Sequence, residues 1–109
     1  MLEVNNNEVE LTKGDTAKLK VNLRVKSTKQ PYTMQEGETL TLTVKRSSNR
    51  RDYCIQKTIK ENEIFHIKPE DTEDLDCGVY VYDVELRTKE GDKYTVFKAK
   101  PFKISEGVT

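Results

Sequence analysis

The sequence predicts an all-β chain folded as a two-sheet antiparallel β-sandwich with one short helical turn, and three observations carry that expectation. Apolar and polar residues alternate without a break from Ala17 to Val25 and again from Leu40 to Val44, the period-two pattern of strands with one buried and one wet face. About seven or eight such runs, all short, are separated by turn-forming residues, as in sandwiches rather than helical domains. Finally, Asp74-Leu75-Asp76-Cys77-Gly78-Val79-Tyr80 reads as a corner that feeds directly into an alternating run ending at Leu86.

Each element has its own local reason. Val9 and Leu11 give a short first strand, and Lys13-Gly14-Asp15 turns the chain. Ala17, Leu19, Val21, Leu23 and Val25 then face a core while Lys18, Lys20, Asn22 and Arg24 face water. Ser27 to Gly37 is a polar loop containing Pro31, from which Tyr32 and Met34 fold back onto the core edge. Leu40, Leu42 and Val44 alternate with Thr39, Thr41 and Thr43, a strand rich in β-branched residues. After the charged loop Lys45 to Asp52, the pattern continues at Tyr53, Ile55, Lys57 and Ile59, turns at Glu61-Asn62, and resumes with Phe65 and Ile67 on one face.

Lys68 to Leu75 is the helical piece. Pro69 suits a first helical position and the acids that follow suit a helix N-terminus. A single turn is expected, packed by Leu75 and bridging the sheets. The strand Val79–Leu86 leads into a hairpin loop, Thr88 to Lys93, in which Gly91 can take positive φ. Tyr94 to Lys98 returns, Pro101 marks a bulge or an edge because it cannot donate to a ladder, and Phe102 and Ile104 end the last strand. Residues 1–109 make one domain, with 105–109 as a tail or linker.

The corner is the most specific of these features. Asp76, Gly78 and Tyr80 form an Asp-x-Gly-x-Tyr pattern at the start of a strand. It resembles the corner of immunoglobulin-like sandwiches, where a tyrosine hydroxyl bonds back to the backbone the chain has just left. Tyr80 is the structural residue expected to do so, with an acceptor between Pro69 and Asp76. Tyr82 stands where antibody domains carry the second cysteine of their inter-sheet disulfide, so the sandwich is expected to hold by packing.

Composition narrows the function classes. Hydrophobic residues make up 34% and charged residues 35%, polar for a folded domain, but the apolar residues are gathered into runs as a disordered chain would not gather them. Nineteen basic residues balance nineteen acidic ones, against the basic excess of a nucleic-acid binder. No run approaches the ~18 apolar residues of a membrane span. Met1 to Asn7 has neither the basic nor the apolar region of a secretory leader. A reducing cytoplasm, with Cys54 and Cys77 as free thiols, is the matching expectation.

The chemistry-bearing residues do not form a recognisable catalytic or ligand motif. Glu70, Asp71, Glu73, Asp74 and Asp76 are an acidic run, but their spacing is not that of a calcium loop, and helix capping with corner hydrogen bonds accounts for them. Lys45, Arg46, Arg50 and Arg51 could steer an anion, yet no glycine cradle or interleaved aromatic accompanies them. His66, the sole histidine, is in opposite phase to Phe65 and Ile67 and faces outward. Nucleophilic catalysis requires a base and an orienting group that nothing here supplies. The chain is therefore expected to be no enzyme, with no catalytic, cofactor-binding or metal residues and no cofactor.

The string Ile67-Lys68-Pro69-Glu70-Asp71-Thr72 through Leu75 to Gly78-Val79-Tyr80-Val81-Tyr82-Asp83-Val84-Glu85-Leu86 carries a further likeness. With Gly14-Asp15-Thr16 before it and Gly91, Tyr94-Thr95-Val96, Phe102-Lys103-Ile104 and Val108-Thr109 after it, the chain resembles small tail-associated immunoglobulin-like proteins of phages and prophages of Gram-positive bacteria. It is similar in particular to N-terminal domains of siphophage baseplate upper proteins. The resemblance implies a non-enzymatic structural or assembly protein of a phage tail or baseplate. It implies a place in the virion after assembly in the bacterial cytoplasm, and other tail or baseplate proteins as partners, with a homo-oligomer as a further expectation and neither nucleic acid nor membrane. The alternative resting on the sandwich alone is an extracellular adhesive or carbohydrate-binding module, disfavoured by the missing leader, the absence of tryptophan and the scarcity of exposed aromatic candidates. For partner contact, the expected surface is the region Tyr94–Ile104 with the strand Val9–Leu11, open to β-addition.

Overall fold

The computed structural model describes residues 2–4, 9–25, 27–47, 49–60 and 64–106. Along them run β1 (Leu2–Val4), β2 (Val9–Thr12), β3 (Ala17–Lys20), β4 (Leu23–Val25), β5 (Thr39–Lys45), β6 (Ile55–Ile59) and β7 (Ile64–Ile67). The helical turn α1 (Pro69–Thr72) then precedes β8 (Gly78–Arg87) and β9 (Lys93–Ser105). The chain is all-β with one short helical turn. The expected turn at Glu61-Asn62 and the last residues, 107–109, lie outside the described residues.

The largest sheet has the order β2-β9-β8-β5-β6, and two two-stranded sheets pair β1 with β4 and β3 with β7. At its centre β5 and β8 pair antiparallel over seven positions, from Thr39↔Arg87 to Lys45↔Val81. Alternation sorts the residues. Leu40↔Leu86, Leu42↔Val84 and Val44↔Tyr82 face inward, and all six are buried. Thr39, Thr41 and Thr43 face outward, opposite Arg87, Glu85 and Asp83. The same inner face continues into β6 through Ile55 and into β9 and β2 through Phe102, Ile104 and Leu11. Phe65 and Ile67 of β7, with Val21 and Leu23, join the same core cluster. A fully buried Leu or Phe contributes about 1.5–3 kcal/mol of transfer free energy, so this cluster holds the small sheets to the large one.

Three features depart from the sequence reading. The run Ala17–Val25 is two strands, because its halves have different partners: Ala17–Lys20 pairs with β7 and Leu23–Val25 with β1. Val21 stays buried across the break, so the hydrophobic alternation persists while the backbone changes neighbour. One pairing departs from the antiparallel expectation: β2 runs parallel to β9, Val9↔Phe102 to Thr12↔Ser105. Strands so far apart in sequence need no hairpin and can adopt either direction. Ser105, expected in the tail, is still strand, opposite Thr12 and accepting the Lys13 N–H at 2.8 Å.

At the sheet's other edge, β6 carries Lys57 on its inward face, in register with Leu42. Its ammonium lies 2.8 Å from the Asp71 carboxylate of α1. An inward charge on an edge strand discourages edge-to-edge pairing, and here α1 answers that charge.

Strand β9 carries two irregularities against β8, on either side of the Val84↔Phe97 pair. In the first, Lys98 and Ala99 together oppose Asp83, and Ala99 has φ +56°. The Ala99 N–H, out of the ladder, donates to Asp83 Oδ1 at 2.7 Å. Pro101 follows two residues later, opposite Val81. An L-residue other than glycine, asparagine or aspartate is strained in this left-handed region by about 1–2 kcal/mol. Ala99→Gly should therefore leave stability within about 0.5 kcal/mol of the parent, strain relief and lost backbone rigidity offsetting each other. Ala99→Val should lose about 1–2 kcal/mol, since β-branching worsens the same strain. Chemical denaturation checks the pair, and equal stability of the Val and Gly variants would refute the bulge geometry.

Candidate functional site

The string Ile67–Leu86 is the place to look first for function, and its polar side chains turn out to serve the backbone. Pro69 opens α1, and the Asp71 carboxylate accepts the Lys68 N–H at 2.7 Å, closing the turn on its own N-terminus. Burial opposes the charge of Asp71, but the Lys57 ammonium and the Lys68 N–H outweigh it and hold the carboxyl below the usual range. Thr72 is fully buried, and its hydroxyl accepts the Gly14 N–H at 2.8 Å. That bond ties α1 to the turn between β2 and β3, where Gly14 has φ +81°. Leu75 packs on the core edge.

At the corner, the Tyr80 hydroxyl donates to the Asp76 carbonyl at 2.7 Å, four residues back. Gly78 between them has φ +151°, a backbone that L side chains rarely adopt. The Tyr80 ring is buried and carries the Arg46 guanidinium over its face, 5.6 Å from the centroid. Burial pushes the Tyr80 phenol up, against the pull of Arg46. Tyr82 packs edge-on against Phe102, centroids 5.8 Å apart, and is a buried core residue. Asp76 contributes its backbone carbonyl, and its side chain lies in an exposed residue.

The remaining candidates separate in space. Arg50 pairs with Asp52 at 3.2 Å on an exposed loop. Arg46 sits over Tyr80, while Lys45 and Arg51 turn toward the outer face of the large sheet. The four cations of this loop therefore do not form one cluster: only Lys45 and Arg51 share a surface. His66 is exposed, cross-strand from Lys18. Cys54 is half-buried and Cys77 exposed, both as free cysteines. Among the described residues no three His, Cys, Asp or Glu side chains converge to hold a metal ion. No described helix is long and apolar enough to cross a membrane.

Two arrangements had no signal in the sequence reading. The first is a carboxylate latch in the loop before β5. Glu38 is buried, and it accepts the Tyr32 hydroxyl at 2.7 and 2.8 Å and the Gln35 N–H at 2.6 Å. Burial and the neighbouring Glu38 charge push the Tyr32 phenol up to about 12. The Tyr-x-x-x-x-x-Glu spacing reads as ordinary loop polarity until the loop closes. The second is a concave polar surface on the outer face of β5, β6 and β8, enclosing about 540 Å³. Thr41 and Thr58 share a hydrogen bond of 3.0 Å across β5 and β6, and Gln56 donates to Thr43 at 3.2 Å. Only the register of three strands assembles this face.

Tyr80→Phe should cost about 1 kcal/mol, because the Asp76 carbonyl loses its part-buried donor. A denaturation midpoint equal to the parent's would mean that the corner bond does not hold the turn. Alkali gives a second prediction. The phenols of Tyr32 and Tyr82 are both raised to about 12, Tyr82 by burial alone. A raised folded-state value favours the neutral phenol in the native protein, so this stability is fully present below the unfolded value of 10.0 and lost as pH rises toward about 12. Denaturation midpoints measured across that interval should fall as phenolate absorbance rises, and Tyr32→Phe should flatten the fall. A midpoint independent of pH there would contradict the latch.

Compared with known proteins, the chain matches no family model, no curated protein and no solved structure.

Proposed function

We propose that the chain is an immunoglobulin-like two-sheet sandwich acting as a non-enzymatic structural or assembly module of a phage or prophage, associated with the tail or the baseplate. The supporting architecture is the strand order. The sheet β2-β9-β8-β5-β6 is the largest, and Leu23 of β4 with Phe65 and Ile67 of β7 belong to the same core cluster, which supports reading the two small sheets as a facing layer. The observation that carries the immunoglobulin-like reading is the Tyr80–Asp76 bond at the start of the central strand β8. The tail assignment rests on the resemblance of Ile67–Leu86. A structural role accords with how that string uses its polar groups, since Asp71, Thr72, Tyr80 and Asp83 all hydrogen-bond to main-chain groups.

In this reading the partners are other tail or baseplate proteins, and the protein travels with the virion after assembly in the bacterial cytoplasm. The edge expected to receive a partner is modified by the pairing. Phe102 to Ser105 already lies between β8 and β2, so β-addition there, including that of a second copy, falls on the outer side of β2. A tagged copy expressed in an induced lysogen should sediment with purified particles or tail assemblies. Protein abundant in the lysate, absent from purified particles and monomeric by light scattering at high concentration would overturn the assembly reading.

A further inference from the structure

We infer that the concave outer face of β5, β6 and β8 is a binding site for a neutral saccharide. The inference is independent of the tail reading and rests on the chemistry of the surface. Its floor is built of short polar side chains on rigid strands, Thr41 and Thr43 of β5 with Gln56 and Thr58 of β6. Their mutual hydrogen bonds orient them in advance, which reduces the ordering cost of binding. The Thr41 and Thr58 hydroxyls are joined to each other and the Thr43 hydroxyl accepts from the Gln56 amide, and each hydroxyl retains capacity for a further bond.

The charged groups decide the ligand class. Asp83 and Glu85 line the concavity with Lys45, Arg51 and Arg87, and Arg87 stands 4.0 Å from Glu85. An anion drawn to the cations would meet two carboxylates, and a cation drawn to the carboxylates would meet three positive side chains. An apolar ligand would strip water from all five without returning hydrogen bonds. A neutral polyol satisfies interleaved donors and acceptors of both signs, since each hydroxyl both gives and accepts. Tyr53, 55% exposed, lines the same concavity, and an aromatic ring there can stack on the C–H face of a pyranose. One aromatic and an open surface imply weak monovalent binding, a Kd on the order of a millimolar. Several copies in one assembly would raise that through avidity.

The test is a backbone amide NMR titration of the full chain. The probes are neutral oligosaccharides covering glucose, galactose, mannose, rhamnose and N-acetylhexosamine units, with inorganic phosphate and calcium chloride as charged comparisons. At least one saccharide should give saturable shifts centred on Thr41, Thr43, Gln56, Thr58 and Glu85. Tyr53→Ala should weaken that binding by about tenfold, the loss of one good contact. Thr58→Arg, an exposed substitution that fills the concavity, should abolish it. Both variants alter exposed side chains, and an unchanged amide spectrum elsewhere shows that they fold. The inference is overturned if no saccharide shifts these amides saturably, if phosphate or calcium alone does so, or if Thr58→Arg binds as well as the parent.

Discussion

The ladder between β5 and β8 is the constraint on which the rest of the structure depends. Its register puts Leu40, Leu42 and Val44 against Leu86, Val84 and Tyr82 on one side and the threonines against Arg87, Glu85 and Asp83 on the other. A slip of one residue would exchange the two faces completely, placing charges in the core and leucines in water. Every other layer is added to this pair: β6 and β9 flank it, β2 extends β9, and Phe65 and Ile67 pack on its inner face. The core and the polar outer face are two results of one register.

What holds the loops to that frame is a set of polar side chains that satisfy main-chain groups outside the ladders. Buried N–H and C=O groups must be paired somewhere, and the sharpest changes of direction leave the most of them. Asp71 closes the helical turn, Thr72 anchors the β2–β3 turn across fifty-eight positions of sequence, Tyr80 closes the corner and Asp83 holds the β9 bulge. Glu38 does the same for Gln35 while sequestering Tyr32. Bonds of this sort are each worth only about 0.5–1.5 kcal/mol. Their combined effect is to give a polar chain one conformation at its corners, where hydrophobic burial is thin.

The net charge of zero is also reinterpreted by the fold. The fold includes a large outer surface on which both signs meet. Lys18 and His66 stand together on the outer side of the small β3–β7 sheet. Acidic and basic groups alternate on the outer side of the large one. Interleaved signs generate little long-range field and strong local hydrogen bonding, so such a face discriminates by shape and donor pattern rather than by attraction at a distance.

By itself the sequence determined the class of the fold and its most specific corner. The alternation at Leu40–Val44 and Val79–Leu86 is legible because a strand with one buried face must repeat every two residues. The corner is legible because Asp-x-Gly-x-Tyr encodes a local bond only four residues long. A three-residue strand such as β1 carries too little periodicity to be seen, and the break in Ala17–Val25 is invisible because the hydrophobic pattern continues through it. Tertiary structure alone decided the parallel pairing of β2 with β9, the inward Lys57 with its Asp71 partner, the Glu38 latch and the hydroxyl-lined concavity. Each of these joins groups whose meeting depends on strand register or loop closure, and neither leaves a periodic trace in a chain read one residue at a time.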